Sequence, residues 1–274
     1  GFIMSQLLKV SPSQAKACLI DCIRAGLMPM LTGSPGIGKS AIVKDIAEHF
    51  NLLLIDIRLA QCDPCDLLGF PHINKDGTKS SYVPMDIFPL EGDEIPSRMV
   101  KQEMKKYAGW LIFFDEANSA DRAVQKAWYK TVLDRQIGIH NIHPKAAMVS
   151  AGNLAEDNAI VEEMSTALQS RMVHYELSLS NEDWLKWAMA AGVDHRITSF
   201  IQFKPERLFS FKPDHTDATY ASPRTWEFAN SFLKLKDADV ASTNMRFNLA
   251  GTLSTGVSRE FVEFCNIFNS LPTM

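Results

Sequence analysis

No apolar run in this chain of 274 residues approaches the ~20 residues that cross a bilayer, so no membrane-spanning helix is expected. A basic-then-apolar leader is missing as well, and the expected location is cytoplasmic. Positive charge is not in excess. With 28 Lys and Arg against 32 Asp and Glu, the net charge is −4 and the pI is near 6.0. That balance argues against an indiscriminate nucleic-acid coat and leaves room only for a local basic patch. Cysteine is scarce and odd in number, five in all, which suggests reduced thiols and no disulfide framework. Cys62-Asp63-Pro64-Cys65 has C-x-x-C spacing, but no second C-x-x-C and no H-x₃₋₅-H pair complete a zinc site; His72 offers a third ligand at most. Cys18 and Cys22, one helical turn apart, read as small buried thiols. Internal repeats and low-complexity segments are also missing.

What the chain does contain is Gly33-Ser34-Pro35-Gly36-Ile37-Gly38-Lys39-Ser40, which fits G-x-x-x-x-G-K-S/T at every position. Its glycines let the backbone wrap tightly, so that successive N–H groups point inward at a phosphate chain. Lys39 is expected to reach the β- and γ-phosphates, and the Ser40 hydroxyl to ligate Mg²⁺. A short apolar run, Leu27 to Leu31, leads into the loop. Ile42, Val43, Ile46, Ala47 and Phe50 then recur at helical spacing. A helix that starts at the loop turns its positive dipole end toward the anion. Gly33 through Ser40, together with Ala41, are therefore the candidate nucleotide-binding residues.

Hydrophobic content of 46% with 22% charged residues is ordinary for a globular protein, and the length suits a main domain plus a smaller one. A helix is expected over 13–26. Four further apolar runs, Leu52–Ile57, Trp110–Phe114, Ala146–Ser150 and Met172–Leu177, read as strands buried on both faces. Separated by helices such as Asp121–Arg135, they imply a parallel sheet sandwiched by helices. Residues 69–98 interrupt this alternation. Asp76-Gly77 between two short extended segments predicts an inserted surface hairpin. Beyond Leu177 the character becomes helical: Ser180 and Asp183 resemble a capping box opening a helix that Gly192 stops, Pro205, Pro213 and Pro223 punctuate a loop-rich linker, and helices follow near 224–235 and 257–269. The expected domains are 1–178 and 179–274.

The strand Leu111-Ile112-Phe113-Phe114 ends in Asp115-Glu116. Asp115 is placed to hold Mg²⁺ opposite Ser40, and Glu116 to polarise the water that attacks a γ-phosphate. Val149-Ser150-Ala151-Gly152-Asn153 is another strand ending in a polar group, and an Asn there can hydrogen-bond the attacking water. Arg171 precedes the last strand, and Arg224 lies in Ser222-Pro223-Arg224. Either guanidinium could neutralise charge that develops on the transferring phosphoryl group.

Six motifs in this order, over about residues 10–235, resemble the AAA+ ATPases, and more closely their MoxR-like branch. Phe113-Phe114-Asp115-Glu116-Ala117-Asn118, with Val124-Gln125-Lys126-Ala127 and Leu133-Asp134-Arg135-Gln136, is similar to that branch's segment around the hydrolytic carboxylates. Asp66-Leu67-Leu68-Gly69 resembles its motif after the second strand, Ala167 to Met172 the stretch carrying its arginine finger, and Ser222-Pro223-Arg224 its lid "sensor 2". Leu154 stands where the family often has proline. The resemblance implies a P-loop core with inserted strand order, a small helical lid, and ATP with Mg²⁺ as cofactors. It also implies a homo-oligomeric ring, often a hexamer, in which Arg171 acts on the neighbour's ATP and Arg224 acts from the lid. The hairpin at 69–98 would face substrate, with Tyr82, Val83, Ile87 and Phe88 as apolar contacts, or would simply pack on its own domain.

The implied activity is ATP hydrolysis that remodels a partner protein, such as a separate polypeptide carrying a von Willebrand factor A domain. A nucleic-acid motor or loader is the alternative, although no basic face is evident in the sequence. A GTP-dependent switch fails, because in Asn74-Lys75-Asp76-Gly77 the Asp comes one position early for guanine recognition. A small-molecule kinase has no need of the adjacent Asp115-Glu116 pair.

Overall fold

The computed structural model describes residues 8–154 and 163–270. Two compact units divide the chain: Gly1–Gly33 with Lys39–Leu177, and Ser34–Gly38 with Ser178–Met274. The first unit runs β1 (Lys9–Val10), α1 (Pro12–Arg24), β2 (Pro29–Thr32), α2 (Lys39–His49), β3 (Leu52–Arg58) and α3 (Pro64–Leu68). Two antiparallel hairpins follow, β4 (Phe70–Ile73) with β5 (Ser80–Val83), and β6 (Ser97–Val100) with β7 (Glu103–Lys106). Then come β8 (Gly109–Asp115), α4 (Arg122–Asp134), a small hairpin of β9 (Gln136–Ile137) and β10 (His140–Asn141), β11 (Ala146–Gly152), α5 (Thr166–Gln169) and β12 (Val173–Leu177).

Six strands form one sheet in the order β1-β12-β2-β11-β8-β3, and every neighbouring pair is parallel. The apolar runs explain the arrangement. β8 and β11 sit inside the sheet and are buried along almost their whole length, whereas β3, at the edge, is only half-buried, contrary to the expectation of burial on both its faces. Alternation along β8 sends Trp110, Ile112 and Phe114 to one face, where they pack with Met30, Met148 and the α4 residues Val124 and Trp128. Phe114 and Trp128 lie 5.7 Å apart between ring centroids, and burying such side chains stabilises the fold by about 1.5–3 kcal/mol each. Leu111, Phe113 and Asp115 fall on the opposite face, against which α1 and α2 pack.

Local chemistry sets the helix starts. Ser11 caps α1 in a box with Gln14, with Pro12 at the first position, and the Asp121 carboxylate caps α4 by accepting from Val124 N at 3.0 Å. The two-residue β1, which the sequence did not announce, pairs in parallel outside β12 and forms the edge of the sheet. The insert runs further than residue 98. Its second hairpin turns at Lys101 and Gln102, both at positive φ without a glycine to announce the turn. Phe88 is buried in the core, so it is not among the insert's exposed apolar groups, while Tyr82, Val83 and Ile87 are exposed.

The second unit contains α6 (Asn181–Ala190), α7 (His195–Phe203), α8 (Pro223–Leu233), α9 (Thr243–Leu253) and α10 (Thr255–Ser270). Phe200, Trp226, Leu249 and Phe261 form its core, and the Trp226 indole donates to Arg207 O at 2.9 Å. Helices α7 and α9 occupy stretches to which the sequence reading assigned no element. Among the described residues, no helix is long and apolar enough to cross a membrane.

Candidate functional site

The site is built from the C-terminal ends of three adjacent strands. In the sheet β11 lies between β2 and β8, with Gly152 level with Thr32 and Ser150 level with Phe114. Gly33, Asn153 and Glu116 therefore leave neighbouring strands at the same edge, the strands lying about 4.8 Å apart. The buried Ser150 hydroxyl donates to Pro29 O at 2.8 Å and Gly33 N donates to Gly152 O at 3.2 Å, which ties β11 to β2 just below the loop.

Lys39 opens α2 and is buried. Its ammonium donates to Gly33 O and to Asn153 Oδ1, the latter at 3.2 Å. The predicted phosphate-binding lysine and the predicted water-orienting amide thus meet across the end of the sheet. Gly36 and Gly38 have φ of +80° and +103°, a backbone that side chains rarely adopt. With Ser40 and Ala41 in the first turn of α2, the loop has the backbone turn and helix start that a phosphate chain requires.

Asp115 ends β8, and Ser40 is the second residue of α2. The Asp115 carboxylate accepts from Glu116 N at 2.8 Å, and Glu116 itself is left-handed, with φ 55° and ψ 34°. That conformation is uncommon outside glycine and turns the chain sharply at the expected base. Asp56 was not singled out in the sequence. It sits two residues before Arg58, which is level with Asp115, and on the same face. Burial first, and then the charge of Asp115, push its carboxyl above the usual range, with Arg58 and Lys44 opposing. An Asp inside the apolar run Leu52–Ile57 was the available signal.

The two arginines differ. Arg171 is exposed just before β12, at the opposite end of the sheet from the loop, where it lines a cleft of about 730 Å³ with Leu27, Phe50, Leu133, Arg135 and Lys145. Val173 is level with Pro29, so Arg171 lies about six residues below Gly33, roughly 20 Å along the strand direction. Arg224 stands in the first turn of α8, which Ser222 caps in a box with Thr225. In the second unit, which includes Ser34–Gly38, Tyr220 Oη donates to Pro35 O at 3.3 Å. A Cβ on Gly36 would come 3.0 Å from Ser222 Oγ and 4.0 Å from Arg224 Cβ. These long-range contacts bring Arg224 beside Gly36.

Among solved structures, a single-residue mutant of RuvB from Thermotoga maritima is similar at a TM-score of 0.50 and 18% identity, covering 96% of this chain and 74% of its own. The fold is that of the AAA+ P-loop ATPases. Another RuvB structure from the same organism, described as a Holliday junction branch migration motor, matches at 0.47 and 16% over 93% of this chain and 69% of its own. NtrX from Brucella abortus matches at 0.46 and 12%, over 85% and 53% respectively. No protein-family model matches the sequence, and no curated protein matches it. The AAA+ fold accounts for the strand order, in which β11 and β8 are inserted between β2 and β3.

Proposed function

We propose that this chain is an ATPase of the MoxR-like kind that binds ATP with Mg²⁺ at the P-loop, hydrolyses it within a hexameric ring and uses the cycle to remodel a partner protein. One observation carries the reading: the Lys39 ammonium meets the Asn153 amide beside the Asp115-Glu116 strand end. A loop that only held a nucleotide would need neither a sensor amide nor a second carboxylate.

In this scheme the loop N–H groups and Lys39 cradle the β- and γ-phosphates. Ser40 and Asp115 are the ligands that would hold Mg²⁺, whose charge offsets what builds up on the phosphoryl oxygens. Glu116 accepts a proton from the attacking water, and the Asn153 amide orients that water. The span of roughly 20 Å between Arg171 and its own loop supports an action on a neighbouring subunit. The position of Arg224 at the loop tip supports an action in its own chain. The partner is a protein, possessing in one version a von Willebrand factor A domain. The net charge of −4 weighs against nucleic acid.

A direct test is competition between ATP and GTP for the purified chain, with phosphate release measured in parallel. ATP should bind more tightly and be hydrolysed with Mg²⁺. A clear preference for GTP, or ATP bound without turnover at any protein concentration, would sink the proposal.

A further inference from the structure

We infer that Asn118 is a positioning residue for the hydrolytic step and acts through Asn153; the inference rests on the ATPase reading above. Asn118 lies on the 3-10 turn Ala117–Ser119, two residues after Glu116, and is 9% exposed. Its Nδ2 donates to Asn153 O at 2.6 Å, and its Oδ1 accepts from Asn153 N at 3.0 Å. One side-chain amide therefore satisfies both backbone groups of one residue, as a neighbouring strand would. The pair extends the sheet's hydrogen bonding one residue past the end of β11.

Gly152 makes the approach possible. A Cβ there would fall inside van der Waals contact with Asn118 Oδ1, and would lie 2.7 Å from both Asn118 Cγ and Met30 Cε. The turn that carries Asn118 is itself held, because the buried Gln125 amide donates to Ala117 O at 3.3 Å. Fixing the backbone of residue 153 fixes the origin of its side chain, whose Oδ1 stands 3.2 Å from Lys39 Nζ. The same turn begins at Glu116, so a single short segment carries the base and clips the sensor. Their separation is set by Asn118, without reliance on the flexibility of two strand ends. A displacement of about 1 Å at such a group can cost ~10²-fold in rate.

The test combines kinetics with hydrogen exchange on the full chain. Asn118→Ala should lower kcat by ~10–10²-fold while ADP affinity holds, because the phosphate cradle does not use Asn118. Asn118→Asp keeps the size and the acceptor but turns an oxygen toward Asn153 O. It should be similarly slow, recovering relative to the unaltered chain as the pH falls and the new carboxyl gains a proton. The double variant Asn118→Ala with Asn153→Ala should be no slower than Asn153→Ala alone, since the first residue works only through the second. Losses that multiply would overturn the inference. Hydrogen exchange reads the clip itself: the Asn153 amide should lose protection in Asn118→Ala while α2 keeps its own. Unchanged protection at Asn153 would overturn the clip whatever the chain does with ATP. Lost protection in a chain that hydrolyses no ATP would overturn the ATPase reading, and the catalytic role of Asn118 with it.

Discussion

The Lys39 ammonium and the Asn153 side-chain oxygen lie 3.2 Å apart, although 114 residues separate them in the chain. Their pairing joins the start of α2 to the end of β11 at the edge of the sheet where Asp115 and Glu116 emerge.

Separate losses of binding and hydrolysis follow from that geometry. Lys39→Ala removes a buried cation and should weaken both ATP binding and turnover. Glu116→Gln keeps its shape but cannot take a proton, so ATP should still bind while turnover falls by ~10²–10⁴-fold. Binding by calorimetry and phosphate release together check the pair, and normal turnover in Glu116→Gln would remove Glu116 as the base.

Arg171 tests the ring. Arg171→Ala should bind ATP yet lose up to ~10³-fold in turnover, as loss of an arginine finger does. Mixing it with Glu116→Gln, with subunit exchange established independently, should restore activity that rises with total protein concentration. Some interfaces then combine an intact Glu116 with an intact Arg171. No rescue at any ratio would mean that Arg171 does not act across subunits.

Cys62 offers a check that does not depend on ATP. Burial, then the charges of Asp66 and Asp63, push its thiol up to about 11, and its Sγ donates to Arg58 O at 3.3 Å. The thiolate is the nucleophile, so at pH 8 it should be alkylated ~10²-fold more slowly than a free thiol of ordinary pKa, with the rate rising steeply toward pH 11. Mass spectrometry of iodoacetamide-treated peptides reads this directly. Fast labelling at neutral pH would show that the half-buried side chain is not held as a hydrogen-bonded thiol.

The P-loop and its flanks were legible because eight consecutive residues carry the pattern and the apolar periodicity on either side is local. The runs Trp110–Phe114 and Ala146–Ser150 read correctly as interior strands for the same reason: continuous burial leaves a continuous apolar signature. Legibility failed where structure depends on partners distant in sequence. β1 is two residues long and exists only because β12 offers it an edge. The β6–β7 turn uses Lys101 and Gln102 at positive φ, a conformation that neither residue type announces. Helix α9 carries Asn, Thr and Gly, poor helix formers, and exposes Phe247 while burying Met245 and Leu249, so no clean apolar face marked it.

The sequence by itself determined that a glycine-rich loop leads into a helix, which carboxylates end a buried strand, and that helices and parallel strands would alternate, since these follow from side-chain chemistry over short stretches. Only the tertiary structure decided that β11 lies between β2 and β8, which brings Asn153 to Lys39 and Asn118 to Asn153. It also decided that Arg171 opens the far end of the sheet while Arg224 meets the loop tip. Strand order is a matter of long-range pairing, in which closing a loop of a hundred residues costs entropy that no local pattern records.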